Sequence, residues 1–153
     1  MHEQLYQPFT KMRFDNDYCF LSGEKLSDNL ELNVFADWLT QRYNLQERPF
    51  KLLDESMLSY ADIKIPASSN TRQALNNLEG IIEKAFTAGY EDVLKLDEIH
   101  IFQWVAKTVY GVIFKEIKTA IRQQAASGEG FHMSQGLIHK FNTLHTMLQS
   151  VIK

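Results

Sequence analysis

The sequence predicts an α+β fold in which a small N-terminal hairpin-and-strand region packs on a mainly α-helical C-terminal half. Three observations carry that prediction. The aromatic run "DYCFL" enters a Ser-Gly pair, as a strand does when it meets a tight turn. Around Tyr60, Ile63 and Ile65 apolar residues sit among polar ones until Pro66 stops the pattern. From Ser69 onward the apolar spacing changes to threes and fours, the period of a helix. A chain of 153 residues is long enough for one domain with a real core: residues 1–68 form its α+β part and 69–153 its helical part.

The elements follow in order. "NVFADWLTQRY" places Val34, Trp38 and Leu39 for a short amphipathic helix, closed by the loop "NLQERP". "FKLLDESMLSYADIKIP" supplies one or two strands. "SNTRQALNNLEGIIEKAFTAG" sets Leu75, Leu78, Ile82 and Phe86 on one stripe, with Ser69 or Asn70 as N-cap and Gly89 as the stop. The longest helical signal follows Asp97, a plausible N-cap, and repeats through Ile99, Phe102, Ala106, Val109, Ile113, Ile117 and Ala120. Its middle is apolar nearly all round, which predicts a central helix touched on several sides. Gly111 within it costs about 1 kcal/mol relative to Ala, so a close approach is expected there.

After the loop "GEGFH", the last segment carries a seam of Leu137, Phe141, Leu144, Leu148 and Val151. The seam is expected to be covered by the rest of the chain, by a second copy or protein partner, or by further chain. It reaches Lys153 with no Gly, Asn or Pro to end it, as either a frayed terminus or a chain cut within a domain would.

Composition narrows the function classes. The net charge is −3 and no basic run occurs, so the clustered Lys and Arg of tight, sequence-independent nucleic-acid binding are missing. A local basic face would have to come from Lys115, Lys118 and Arg122. One cysteine excludes an intrachain disulfide and a multi-thiolate zinc cluster, and fits a reducing compartment. "MHEQLYQPFTKMRF" has no apolar core of the signal-peptide kind. The longest apolar stretch, Trp104 to Phe114, is broken by Lys107 and Thr108 and is too short to span a bilayer. A cytoplasmic protein with no membrane partner is expected.

Candidate chemistry is sparse. "CFLSGE" opens like a zinc knuckle of the form Cys-x-x-Cys-Gly, but the second sulfur is replaced by Ser22, a poor zinc ligand beside Cys19. A nucleophilic role for Cys19 needs a base or positive field, whereas Asp15, Asp17 and Glu24 are acidic, so a structural thiol is expected. His132, His139 and His145 are seven and six residues apart, not the three or four that puts ligands on one helix face; solvated or partner-facing rings are expected. His100 reads as a packing residue. Asp15-Asn16-Asp17 reads as a turn, and Glu91-Asp92 as acids favoured at a helix start. Phosphate-binding glycine motifs and the Gly-x-Ser-x-Gly elbow are absent from the sequence.

Four stretches, in order, carry a family resemblance: "CFLSGE", "ELNVFADWL", "PASSNTRQALNNLE" and "FQWVAKTVYG". Over residues 17–118 the chain resembles bacterial HNH-endonuclease-like proteins, whose treble-clef-like knuckles open with Cys-x-x-Cys-Gly. These continue through Glu-His-(Val/Ile)-Phe-Pro-x-Trp-Leu, a second Cys-x-x-Cys-Asn knuckle, a Leu-Glu helix and a Trp-Ala-x-Lys helix. Val34, Phe35, Trp38, Leu39, Asn70, Leu78, Glu79, Trp104 and Lys107 match. The resemblance places Cys19, Ser22, Pro66 and Ser69 at the four zinc-thiolate positions, Asn33 at the catalytic histidine and Leu32 at the acid before it. Glu31 is displaced by one step, onto the opposite face of a strand. Asn70 alone matches a residue with a catalytic-site role.

Phosphodiester hydrolysis of this kind needs a general base and a divalent metal. Asn33 has a neutral, essentially non-basic amide, and one thiolate with two hydroxyls makes no tetrahedral zinc site. The resemblance therefore implies a scaffold stripped of metal and activity, with no cofactor, that acts by binding another macromolecule. Two alternatives stay open. A nucleic-acid-binding module would show a positive groove beside Asn33 and Asn70. An enzyme of another class, rebuilt around Asn70 or Cys19, would show a concave pocket that gathers titratable groups there.

Overall fold

The computed structural model describes residues 16–27, 30–52, 55–128 and 134–152. Asp15, His132, Lys153 and most of the expected "GEGFH" loop lie outside the described residues. The aromatic run at the start does not extend into a strand. Tyr18 and Lys25 form a single antiparallel bridge, because the chain curls between them. Within that curl Cys19 N–H donates to the Glu24 carbonyl at 2.8 Å and Gly23 N–H to the Cys19 carbonyl at 3.1 Å. Gly23 takes φ +76°, which a residue with a Cβ adopts reluctantly.

The strands are short and paired in twos. β1 (Glu31–Asn33) runs antiparallel to β4 (Lys64–Pro66), with Leu32 opposite Ile65 and Asn33 opposite Lys64. Between them lie α1 (Asp37–Arg42) and a hairpin of β2 (Pro49–Lys51) and β3 (Met57–Ser59). The stretch expected to give one or two strands thus gives three. A turn closed by Leu52 N–H to the Ser56 carbonyl, 2.9 Å, folds its first half back. A 3-10 turn at Tyr60–Asp62 then separates β3 from β4. Phe35, Phe50 and Tyr60 meet edge-on or tilted, at centroid distances of 4.9 to 6.1 Å, and tie the hairpin to β1.

The helical half begins where the period changes. α2 (Ser69–Ala88) is capped by Ser68, one residue before the expected caps; its Oγ accepts from Thr71 N–H at 3.3 Å. Gly89 ends it at φ +129°. The short α3 (Tyr90–Leu94) carries Glu91 and Asp92 in its first turn, where the helix dipole favours acids. α4 (Glu98–Ser127) spans 30 residues, about 45 Å. α5 (Gln135–Leu148) continues into a 3-10 turn, Gln149–Val151. One buried cluster joins Cys19, Phe20 and Leu21 of the N-terminal part to Leu75, Tyr110, Phe114 and Leu148 of the helices. No helix among the described residues is long and apolar enough to cross a membrane.

α4 is rotated from the expected phase. Ala106 and Ile117 are buried as anticipated, but Ile99, Phe102 and Val109 are exposed, and Gln103, Lys107, Tyr110 and Phe114 face inward instead. A helix that is apolar nearly all round has no strong stripe to orient it. Specific partners choose the buried side: Gln103 Nε2 donates to Ser150 Oγ at 2.9 Å, and Lys107 finds Glu79. Nor is the helix covered on every side, since Ile101, Phe102, Val105 and Val109 remain open to solvent.

The close approach at Gly111 is present. A Cβ there would sit 2.8 and 2.9 Å from the two methyls of Val34, itself fully buried. Gly111→Ala is therefore expected to destabilise the protein by about 1–2 kcal/mol, overpacking outweighing the gain in helix propensity. Urea unfolding of Gly111→Ala, Val34→Ala and the double variant should give a favourable coupling; a more stable Gly111→Ala protein would contradict the packing.

The α5 seam is largely covered by its own chain. Leu148 is fully buried and Phe141, Leu144 and Val151 pack against the core, while Leu137 stays exposed. His139 is exposed, as expected, and His100 is half-buried. His145 departs from expectation: it is fully buried, because it serves the N-terminal turn rather than the seam or solvent.

Candidate functional site

The turns at Cys19–Ser22 and Pro66–Ser69 lie side by side, held by Phe20 N–H donating to the Pro66 carbonyl at 2.8 Å. Cys19 is fully buried, with its Sγ 3.5 Å from Ser22 N–H and 3.4 Å from Thr71 Oγ1. Ser22 Oγ accepts from Glu24 N–H at 3.3 Å. Burial pushes the Cys19 thiol up, but the Ser22 hydroxyl and amide, the Thr71 hydroxyl and the Ser68 amide together bring it below the ordinary cysteine value. Hydrogen bonds to sulfur and burial, rather than the nearby carboxylates, thus set its electrostatics. Ser69 and Asn70, by contrast, are exposed on the first turn of α2; the residues that reach Cys19 are Ser68 and Thr71.

α5 holds the same turn from the other side. His145 approaches the Phe20 carbonyl with Nε2 at 2.8 Å, and Gln149 Nε2 donates to the Leu21 carbonyl at 2.9 Å. A carbonyl only accepts, so neutral His145 carries its proton on Nε2. Burial drives the ring's pKa down to about 4, against the opposing pull of the Phe20 hydrogen bond. Among the described residues, no three His, Cys, Asp or Glu side chains converge as a metal site.

Asn33 lies elsewhere, at a cleft of about 640 Å³ between β1, α1 and α2. Its Nδ2 donates to Asp37 Oδ1 at 3.1 Å. Leu32 turns into the core, whereas Glu31, on the face of β1 shared with Asn33, is exposed at the cleft. Lys64, paired with Asn33 across the strands, lines the same side. α2 contributes Arg72, Asn76, Gly80 and Glu83, spaced along one helical face. Asn70 and Cys19 do not line it.

The cleft's back wall is a charge network. Glu79 Oε1 accepts from Lys107 Nζ at 2.7 Å, and its Oε2 accepts from the indole N–H of Trp38 at 2.7 Å and of Trp104 at 3.2 Å. Lys107 and Glu79 are both buried, at 1% and 5% exposure. The two indoles stack, 6.1 Å apart and 25° from parallel, and each lies 5.7 Å from Phe86. Neither tryptophan is among the exposed residues, in keeping with their apolar-stripe positions, and Trp38 also borders the cleft. Arg42 covers the Trp38 ring at 5.9 Å and donates to Thr87 Oγ1.

Sequence reasoning missed Ser68, Thr71 and Gln149, and set His145 toward solvent or a partner. The i, i+4 spacing of His145 and Gln149 around buried Leu148 was the signal available for the last two. The fold and cleft define an α+β protein with a charged groove and, apart from it, two turns held together by hydrogen bonds. Comparison of the chain with protein-family models, curated proteins and solved structures gives no match.

Proposed function

We propose that this chain is a non-catalytic protein on a degenerate HNH-nuclease-like scaffold that acts by binding another macromolecule. The observation that carries the reading is an open cleft with a neutral amide, Asn33, where the resemblance puts the general base. That amide is committed to Asp37, and the side chain before it, Leu32, faces the core rather than a metal. Trp38, Trp104 and Lys107, matching residues 41, 25 and 28 positions from Glu79 in sequence, all close on its carboxylate, which supports a shared scaffold. The reading assigns no cofactor. Its partner is a protein; α5 offers a second copy only Leu137 and Met147 as exposed large apolar residues.

A nucleic-acid partner gains no support from the cleft, where Glu31, Asp37, Glu79 and Glu83 stand against Lys64, Arg72 and Lys107. A second reading, an enzyme with a rebuilt site, is favoured by the same gathering of titratable groups beside Asn33. The buried members of that group are consumed by each other, though, and Glu31, Asp37, Lys64 and Glu83 are solvated.

The test is nicking of supercoiled plasmid with magnesium, manganese, nickel or zinc. No cutting above a mock purification is expected, from the natural chain or from Asn33→His, because the single substitution supplies no acid at Leu32. Metal-dependent cutting by the natural chain would overturn the reading.

A further inference from the structure

α4 has two apolar sides, and the fold packs against one of them. Gln103, Lys107, Tyr110 and Phe114 face inward. On the outward side Phe102, Val105, Val109 and Val112 recur at threes and fours over about 15 Å, flanked by Ile99 and Ile101. All but half-buried Val112 are 37 to 52% exposed. No other element among the described residues presents more than two exposed large apolar side chains. An ordinary solvated helix face would carry charged residues there.

The outward face also makes little polar demand. Thr108 and Thr119, at its border, turn their hydroxyls back onto the Trp104 and Lys115 carbonyls of the same helix, at 3.2 and 2.9 Å. The three-four spacing is the one with which two like helices interlock side chains. It is also self-complementary. In an antiparallel pair with its two-fold axis midway between Val105 and Val109, Val105 of each copy meets Val109 of the other, and Phe102 meets the smaller Val112. The helix dipoles then oppose one another. At the ends Glu98 comes level with Lys115 and Glu116 of the second copy, an attraction and a repulsion, so apolar area carries the energy.

That area is of the size a dimer needs. At about 200 Å² for a large side chain, the exposed fractions amount to about 400 Å² of apolar surface. Homodimer interfaces are about 65% apolar, so a centre of this size belongs to an interface of about 600 Å² per copy. The total of about 1,200 Å² stands at the lower bound for a specific complex.

We propose that the protein forms a two-fold dimer through this face, α4 lying antiparallel on α4 of a second copy. Most soluble oligomers are closed assemblies of one chain, and this seam fits its own copy. The pairing uses none of the cleft residues, so each copy keeps its own cleft. It does not depend on what the cleft binds.

Sedimentation velocity of the full chain between about 1 and 300 µM is expected to show a monomer–dimer equilibrium with a Kd of about 10 µM. Val105→Lys should weaken the dimer by about tenfold or more and leave the urea midpoint nearly unchanged, since its side chain already meets water. Leu137→Lys, at an exposed position of α5, should leave the dimer intact. Cys19 is the chain's one cysteine and is buried. Val105→Cys and Val109→Cys proteins, mixed and oxidised, should therefore give the mixed disulfide well above its random share. A natural chain still monomeric at about 300 µM would overturn the proposal, whatever the variants do. Undiminished dimerisation in Val105→Lys, or loss of the dimer in Leu137→Lys, would also overturn it. A monomer that instead sediments with phosphatidylcholine vesicles would overturn it in favour of a lipid surface, and an excess of the Val105→Cys self-disulfide would overturn the antiparallel pairing.

Discussion

Lys107→Met is expected to destabilise the protein by about 3–5 kcal/mol. Lys107 is 1% exposed and its ammonium lies 2.7 Å from Glu79 Oε1, so removing it strands a buried carboxylate. The two indole N–H groups on Oε2 soften that loss without neutralising the charge. Glu79→Gln, whose amide oxygen at the Oε2 position can still accept from both indoles, should cost less than Glu79→Ala, which orphans both tryptophans and the lysine. The pair's own contribution is a different quantity from either loss. A buried ion pair frequently does no better than well-packed apolar residues, so Lys107→Met with Glu79→Leu should recover part of the stability lost in Lys107→Met. Chemical unfolding of the natural chain, Lys107→Met, Glu79→Leu and the double variant, followed by Trp fluorescence, measures the cycle. A Lys107→Met variant within about 1 kcal/mol of the natural chain would mean that water reaches the pair and that the network is not structural.

The residues of this network were visible in the sequence, but its purpose was not. Trp38, Glu79, Trp104 and Lys107 stand out by resemblance, yet Glu79 is 25 residues or more from each of its three donors, and only tertiary geometry brings them to one carboxylate. Local patterns did better where local physics decides. α2 follows from a stripe of Leu75, Leu78 and Ile82 with a glycine stop, and only the cap moves by one residue. Gly111 was readable as a close approach because mid-helix glycine has a known cost. α4 failed in phase for the opposite reason: with apolar residues on every side, periodicity carries little information, and Lys107, an apparent interruption, marks the buried face. The cleft was anticipated only as the neighbourhood of Asn33. Its acids and bases come from β1, α1, β4, α2 and α4, so their gathering has no linear signature.

The paired turns at Cys19–Ser22 and Pro66–Ser69 raise the question of what holds them together, and His145 makes one answer measurable. Its ring contacts the Phe20 carbonyl within the Cys19–Ser22 turn, fully buried beside Tyr110 at 5.1 Å. The buried site disfavours the imidazolium, so the folded-state pKa falls from 6.5 to about 4. Between those values the unfolded chain binds a proton that the folded chain does not. Stability from this residue is therefore fully present above pH 6.5, is lost progressively as the pH falls toward 4, and changes no further below that. At about 1.4 kcal/mol per pH unit, the interval amounts to about 3 kcal/mol. Urea midpoints measured from pH 7.5 down to 4 should fall accordingly. His145→Gln, whose amide N–H can still reach the carbonyl but does not titrate, should flatten that dependence while costing some stability at neutral pH. A natural chain equally stable at pH 7 and 4.5, or a His145→Gln variant with an undiminished slope, would show that the acid response lies in other groups and that α5 does not lock the turn through this ring.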